Sequence, residues 1–466
     1  MTNPGPNSTI SNMVQALVRH LDGKSLLILG FGREGQSSYH FLRSHLPDLP
    51  LTIADQNPNL RDQHPDLTAD RNLILILGDS YLDSLADFDL ILKSPGISLK
   101  SLDLSLIAPK ITSQLELLLT FFPLKTIGVT ATKGKSTTSS LIHAILKDQG
   151  ISTFLLGNIG QPVFSQLSSF QPDSVLVLEM SSHQLEFMHH SPHISLFLNL
   201  SEEHLDHYHS FADYAKAKCN IYRWQTSSDY FLYNLDNPIL SQFVQSPPAR
   251  TITISPTSRT SQPPQPSDFY RQGSTVFFHN QPIYDTTSPR HLLGDHNLAN
   301  IMFALAVSEL LGLNLAKTTE TINNFHSLPH RLELVGDFNG VSYYDNAIAT
   351  VPAATIAALS ALGDVDTLII GGMDRGIDYG DFIRYLRSSS VRHIICMPKT
   401  GHDIGRELPA EKVHFVETLE EAVSLAKQLT QPGKSCLLSP TAASYGFFKN
   451  FEEKGDRFQA LVRERT

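Results

Sequence analysis

Cysteine is nearly absent. The chain has three, Cys219, Cys396 and Cys436, far apart and without a CxxC pair. Neither a zinc site nor a disulfide framework is expected, and a reducing compartment fits. Positive charge is in the minority: 36 Lys and Arg stand against 46 Asp and Glu, a formal net charge of −10. That balance argues against general affinity for nucleic acid or an anionic membrane, though not against a local basic pocket. No apolar run reaches the roughly 18 residues of a spanning helix. The opening stretch MTNPGPNSTISNMV lacks a basic segment followed by an apolar one. It reads as a frayed start, and the protein as cytoplasmic. No internal repeat of fixed period stands out.

What is present is alternation. Short β-rich runs, among them Ser25–Leu29, Leu73–Leu77, Lys125–Val129, Ser174–Leu178, His193–Asn199, Thr367–Ile370 and Arg392–Met397, are separated by longer amphipathic stretches. This is the pattern of βαβ units around parallel sheets, an α/β fold. The 466 residues suit three domains of roughly 150 residues each. The expected divisions are 1–112, Rossmann-like; 113–327, a P-loop ATPase-like centre; and 328–466, a second Rossmann-like domain. The stretch Ser246–Ser274, rich in Pro, Ser, Thr and Gln, is expected to be a surface excursion inside the second block.

The strongest local signal is KTIGVTATKGKSTT, residues 125–138. A β-rich run feeds a small-residue loop, Thr130 to Gly134, and a helical pattern opens at Lys135-Ser136-Thr137. Backbone N–H groups of such a loop cradle phosphate oxygens, and the helix N-terminus adds partial positive charge. Lys135 would neutralise β- and γ-phosphate charge, and the Ser136 hydroxyl would ligate Mg²⁺. The GxxxxGK[ST] spacing is not met literally, since Gly128 to Gly134 is one residue too long. The alternative is a strand–turn–helix junction with a chance GKST. Near the N-terminus, Gly30-Phe-Gly32-Arg33-Glu34-Gly35 follows one strand, and Asp55 ends a second, Leu51–Ala54. Alone this reads as NAD binding. Beside a separate ATP loop, a Rossmann-like domain holding another nucleotide is the better reading.

In the middle block Glu179 follows a strand in LEMSSHQLE, a position suited to holding Mg²⁺ beside a phosphate loop. Its alternative is a polar strand end. NLSEEHLDH, with His204 and Asp206, offers imidazole and carboxylate in one turn, either as metal ligands or as a solvated loop. Lys218 lies on a helix in YAKAKCNIY, where spacing gives it no chemistry.

Taken together, GVTATKGKSTT, LLGNIGQPV, LEMSSHQLE, NLSEEHLDHY with YAKAK, GDHNLAN, LPHRLELV and SPTAASYGFFKNFEEKGDRF resemble the Mur ligase family, MurD type, across nearly the whole chain. The resemblance implies an ATP-dependent, ADP-forming ligase of peptidoglycan precursor synthesis. It would add glutamate, D-glutamate foremost, to UDP-N-acetylmuramoyl-L-alanine through an acyl phosphate, as a monomer with neither nucleic acid nor membrane insertion. Ser136 and Glu179 would bind one Mg²⁺, and His204 and a carbamylated Lys218 a second. Thr130, Thr132, Lys133, Gly134, Lys135, Ser136, Thr137, Asn297 and Asn300 would contact ATP, joined by Arg331. Gly32, Arg33, Glu34, Gly35, Asp55 and Gly96 would hold the uridine diphosphate end, with Asn158, Ser181 and Gln184 lining the muramoyl and acceptor site. Thr350, Arg375, Ser444 and Phe451 would surround glutamate.

The chain also departs from the family. The usual DSKAT segment aligns with Asn346 to Thr350, so the acid has become Asn346 and the lysine Ile348. Arg375 stands where the glutamate side chain usually meets lysine, and Ala131 and Lys133 replace Gly and Asn in the loop. The rivals are an L-glutamate-adding relative, another ligase of this fold such as folylpolyglutamate synthase or a MurC-type enzyme, and a nucleotide-binding protein that has lost turnover.

Overall fold

The computed structural model describes residues 9–203, 207–259, 267–326, 328–374, 376–446 and 448–464. The chain is α/β and forms three sheets rich in parallel strands. It divides into two compact units, Met1–Ser288 with Ala299–Ile322, and Pro289–Leu298 with Asn323–Thr466. The first unit holds two sheets and the second one. Among the described residues no helix is long and apolar enough to cross a membrane.

The first sheet contains β1 (Leu26–Leu29), β2 (Leu51–Asp55), β3 (Leu73–Leu77), β4 (Leu90–Lys93) and β5 (Ile111–Thr112), in the order β3-β2-β1-β4-β5 and all parallel. Its central strand is the apolar run LLIL, buried along its whole length, as a strand covered on both faces requires. The order reverses at β1, which opens a crevice beyond the carboxyl ends of β1 and β4. Gly30 to Gly32 make the turn there between β1 and the Arg33–His45 helix, whose first turn holds Gly35. Glycine is needed at position 35 because a Cβ would fall 2.1 Å from the Gly30 carbonyl oxygen.

The second sheet comprises β6 (Lys125–Thr130), β7 (Thr153–Gly157), β8 (Val175–Glu179), β9 (Ile194–Phe197), β10 (Tyr230–Asn234), β11 (Arg250–Arg259), β12 (Phe269–Gln272), β13 (Thr275–Phe278) and β14 (Gln281–Asp285). Their order is β14-β13-β12-β11-β10-β9-β6-β8-β7. Here β6 sits between β8 and β9, so its carboxyl end is another reversal point. The expected surface excursion at Ser246–Ser274 is corrected by β11 and β12, which extend this sheet, with Phe269 fully buried. The β-branched run Thr251-Ile252-Thr253-Ile254 pairs with β10 residue by residue. The Pro- and Ser-rich composition that suggested a loop belongs mainly to the residues between those two strands.

The second unit's sheet contains β15 (Glu333–Phe338), β16 (Val341–Asp345), β17 (Val365–Gly372), β18 (His393–Lys399), β19 (Val413–Phe415) and β20 (Ser435–Leu438), ordered β15-β16-β20-β17-β18-β19. Only the β15–β16 pair is antiparallel. Its two faces are covered by separate apolar clusters, one around Phe458 and Ala426, the other around Phe382 and Leu386.

The close approach at Gly35 sets a test. Gly35→Ala should cost about 1–3 kcal/mol, the usual range for overpacking against a backbone atom that cannot rotate away. A lower urea midpoint would report it, and an unchanged midpoint would show that the Gly30 turn yields freely.

Candidate functional site

The phosphate-loop segment lies at the carboxyl end of β6. Gly134 caps the Lys135–Asp148 helix with a φ of 91°, and a Cβ there would lie 2.6 Å from Asn300 Oδ1. Asn300 on the Asp295–Leu310 helix therefore touches the loop. Three further residues shape it. Thr132 N donates to the Asn199 carbonyl at 3.0 Å. Lys133 N donates to Asn199 Oδ1 at 2.9 Å, and Asn199 Nδ2 returns a bond to the Lys133 carbonyl at 2.8 Å. Thr132 Oγ1 meets Tyr214 Oη at 3.1 Å, while the Thr130 hydroxyl donates to the Met180 carbonyl. Thr137 is buried on the first turn of the helix, and the Ser136 side chain is half-buried. Lys133 is exposed and pairs with Glu203.

Two lysines converge on one carbonyl oxygen. Lys135 Nζ donates to Ala131 O at 2.9 Å, and Lys218 Nζ to the same oxygen at 2.7 Å. Lys218 is 1% exposed and lies over the Tyr214 ring. Burial, and then Lys135, push its amine well below the usual lysine range, against the pull of Glu203 and Glu179. Glu179 ends β8 with no exposure. Its Oε1 accepts from Asn158 Nδ2 at 2.7 Å, while its Oε2 is buried without a partner. A buried carboxylate oxygen left unbonded is costly unless a cation completes it. Glu179 and the Ser136 hydroxyl are oxygen donors of the kind a hard divalent ion takes, whereas the Lys218 amine is not. His204 lies outside the described residues, as do Leu205 and Asp206.

The second cluster lies at the reversal point of the first sheet. Asp55 Oδ2 accepts from Phe31 N at 2.7 Å and Oδ1 from Asn57 N at 2.8 Å, so the acid expected to face a nucleotide first fixes the glycine turn. Arg33 donates to the Gly160 carbonyl at 2.8 Å. Gly32 and Gly96 meet nothing within 4 Å at a Cβ position, so open space adjoins both. Ser181 and Gln184 form a capping box on the Ser182–Leu185 turn, and Gln184 Nε2 also donates to Glu34 Oε1 at 3.1 Å. Desolvation pushes the half-buried Glu34 carboxyl up to about 7, opposed by the Gln184 amide, Lys93 and Arg33. Burial lowers the Lys93 amine to about 8.

The third cluster is in the second unit, at the carboxyl edge of its sheet. The loops after β16, β17 and β20 are tied by Thr441 N to the Ala349 carbonyl at 2.9 Å and Met373 N to the Ala443 carbonyl at 2.8 Å. Thr350 lies on the first of them. Ser444 lies on the third, its hydroxyl oxygen buried without a partner, as is that of Thr441. Phe451 opens the Phe451–Arg463 helix and packs on the core. Arg331, half-buried, lies in the turn before β15, and Asn297 Nδ2 donates to the Leu293 carbonyl. Arg375 lies outside the described residues. Asp345, one position before Asn346, is fully buried and bonds His330. Asn346 uses both amide atoms, accepting from Leu332 N and donating to Ser439 Oγ. A carboxylate there could accept from Leu332 N but could not donate to Ser439.

Sequence reasoning passed over Asn199, Tyr214 and Asp345. Asn199, the last residue of the expected strand His193–Asn199, carried a signal in its place beside the phosphate loop. The other two carried none, because their partners come from distant segments.

The position of Glu34 generates a prediction. Its folded value, about 7, lies above the ordinary carboxyl value, so folding takes up a proton. The contribution to stability is full below the unfolded value and is lost as pH rises through the folded one. Glu34→Gln should flatten that stretch of the stability–pH curve and be the more stable protein at pH 8. Parallel wild-type and variant curves would show Glu34 already ionised in the fold.

Comparison with known proteins identifies the family. A family model described as the Mur ligase middle domain matches residues 129–308, and one described as the Mur ligase, glutamate ligase domain matches 330–442. The chain is 33% identical over 452 residues to the UDP-N-acetylmuramoylalanine–D-glutamate ligase of Geotalea uraniireducens, covering 94% of this chain and 97% of that one. It is 30% identical over 463 residues to the enzyme of that name from Clostridium tetani, covering 94% and 96%. Among solved structures, the MurF ligase of Thermotoga maritima in complex with ADP covers 95% of each chain at a TM-score of 0.58 and 15% identity. MurF of Acinetobacter baumannii covers 99% of this chain and 100% of its own at a TM-score of 0.60 and 13% identity. At such identities these two structures speak to the fold alone. With a third of its residues identical along nearly its full length to D-glutamate ligases, the chain belongs to the Mur ligase family, in its MurD type.

Proposed function

We propose that this protein joins D-glutamate to the alanyl carboxylate of UDP-N-acetylmuramoyl-L-alanine, with ATP converted to ADP and phosphate. The observation that carries the reading is the buried, half-bonded Glu179 carboxylate beside a phosphate loop on which Lys135 and Lys218 converge. In the proposed division, residues 1–112 bind the UDP end, 113–327 bind ATP and 328–466 bind the amino acid. The protein is read as cytoplasmic and monomeric.

The chemistry has to bring two anions together. An oxygen of the acceptor carboxylate attacks the γ-phosphorus of ATP, and ADP leaves. The glutamate amine then attacks the acyl carbon, and phosphate leaves. Lys135 swings from the Ala131 carbonyl to the phosphates, and Arg331 adds a planar guanidinium to the charge that spreads in the transition state. Ser136 and Glu179 would hold one Mg²⁺ and His204 with Lys218 a second; bound there, the ions offset the repulsion between carboxylate and γ-phosphate. Lys218 serves as a carbamate. The low affinity of its amine for protons supports this, since the neutral amine is the form that adds to CO₂, releasing one proton. Asn158 orients Glu179, Asn297 and Asn300 hold the nucleotide, and Gly32, Asp55 and Gly96 hold the uridine diphosphate end. Thr350, Arg375, Ser444 and Phe451 receive glutamate, with Arg375 pairing its side-chain carboxylate.

Two measurements test this. Phosphate release should require both UDP-N-acetylmuramoyl-L-alanine and glutamate, with D-glutamate preferred when both enantiomers are offered in parallel. Release independent of either substrate, or a preference for L-glutamate, would overturn the assignment. Lys218→Ala should lose at least about 100-fold in kcat, the scale of a group that stabilises transferring charge, and formate or acetate should restore part of it. Near-wild-type turnover by that variant would rule out the carbamate.

A further inference from the structure

The turn that carries Arg331 is unusual in its backbone. His330 and Leu332, on either side of the arginine, have φ values of 60° and 49°. Non-glycine residues rarely adopt this left-handed conformation, and two within three residues persist only where the surroundings impose them. The surroundings here hold four of its backbone groups. His330 N donates to Glu333 Oε2 at 2.8 Å. Arg331 N donates to the Leu328 carbonyl at 3.0 Å, and the His330 carbonyl accepts from Ile348 N at 3.2 Å. Leu332 N donates to Asn346 Oδ1 at 3.1 Å.

The imidazole of His330 anchors the turn from below. It is 5% exposed, and its Nδ1 lies 2.7 Å from Oδ2 of the fully buried Asp345. Gln459 Nε2 donates to that same oxygen and to Glu333 Oε2, both at 3.0 Å. The Phe451–Arg463 helix closes over the pair through Gly455, where a Cβ would lie 2.0 Å from His330 Nδ1 and 2.6 Å from Asp345 Oδ2. The hydrogen bond that the ring donates to Asp345 favours the protonated imidazole, raising its pKa against the effect of burial. His330, Glu333 and Asp345 lie close enough to suggest a cation site. All three instead spend their ligand atoms on hydrogen bonds with one another and with Gln459.

We infer that the His330–Asp345 pair is a positioning device for Arg331, holding the strained turn so that the guanidinium leaves it from one fixed backbone geometry. The inference rests on the reading of Arg331 as a group acting on the phosphates. Misplacing such a group by about 1 Å typically costs about 100-fold in rate.

The test compares steady-state kinetics of full-length variants on UDP-N-acetylmuramoyl-L-alanine, ATP and glutamate. His330→Gly keeps the left-handed turn and removes the imidazole. His330→Asn keeps the turn, which asparagine tolerates, and restores a donor near the Nδ1 position. The expected result is a loss of about 10- to 100-fold in kcat for His330→Gly, with the KM for UDP-N-acetylmuramoyl-L-alanine unchanged and most of kcat recovered in His330→Asn. In an Arg331→Lys background, where a flexible point charge replaces the fork, His330→Gly should cost less than about threefold, since coupled residues are non-additive. The same loss in both backgrounds would overturn the inference while leaving the role of Arg331 intact. Wild-type turnover by Arg331→Ala would remove that role, and the inference with it. Amide hydrogen exchange gives a readout independent of turnover. The 328–332 turn should exchange faster in His330→Gly, and in Gly455→Ala if His330→Gly fails to fold, with protection restored in His330→Asn. Unchanged exchange in the folded variants would refute the device.

Discussion

Parallel strands deliver all their following loops to one edge, and each sheet here uses that constraint. Where strand order reverses, two neighbouring loops diverge and leave a crevice. In the first sheet the glycine turn after β1 meets the turn after β4. In the second, the phosphate loop after β6 lies between the segments after β8 and β9, which supply Glu179 and Asn199. In the second unit's sheet, the loops after β16, β17 and β20 bring Thr350 and Ser444 to one edge. Every cluster of interest follows from this geometry, because an antiparallel arrangement would send alternate loops to the opposite edge.

Within the first unit, two charged side chains are buried at a cost. Lys218 is buried with its amine on a carbonyl already bonded to Lys135. Glu179 is buried with one oxygen unmet. Neither arrangement would stabilise an inert fold, since each leaves desolvation incompletely offset. The second unit shows the contrary case. The His330, Asp345, Asn346 and Gln459 network is bonded throughout, and it holds backbone in a conformation the chain would not choose.

Legibility differed by kind of residue. The β1, β6 and β8 strands and the turns after them were readable, because apolar runs bounded by glycine or polar residues have few other solutions. Strands β11 and β12 are hidden in the sequence, because the Pro- and Ser-rich part between them masks the β-branched alternation ahead of it. Asp345 and Asn346 were readable only as a departure from a familiar pattern. Their meaning came from His330, Ser439 and Leu332, which contact them across 14 or more residues of sequence.

The α/β class, the phosphate loop, the glycine turn and the kinship are written in the local order and spacing of the residues. Tertiary structure alone decided which side chains share an environment. The fold put two lysines on one carbonyl, left a Glu179 oxygen unbonded, pushed the pKa of Glu34 up and that of Lys218 down by burial, and set His330 beneath the turn that carries Arg331. These properties depend on burial and on partners far away in the chain, and no window of neighbouring residues contains them.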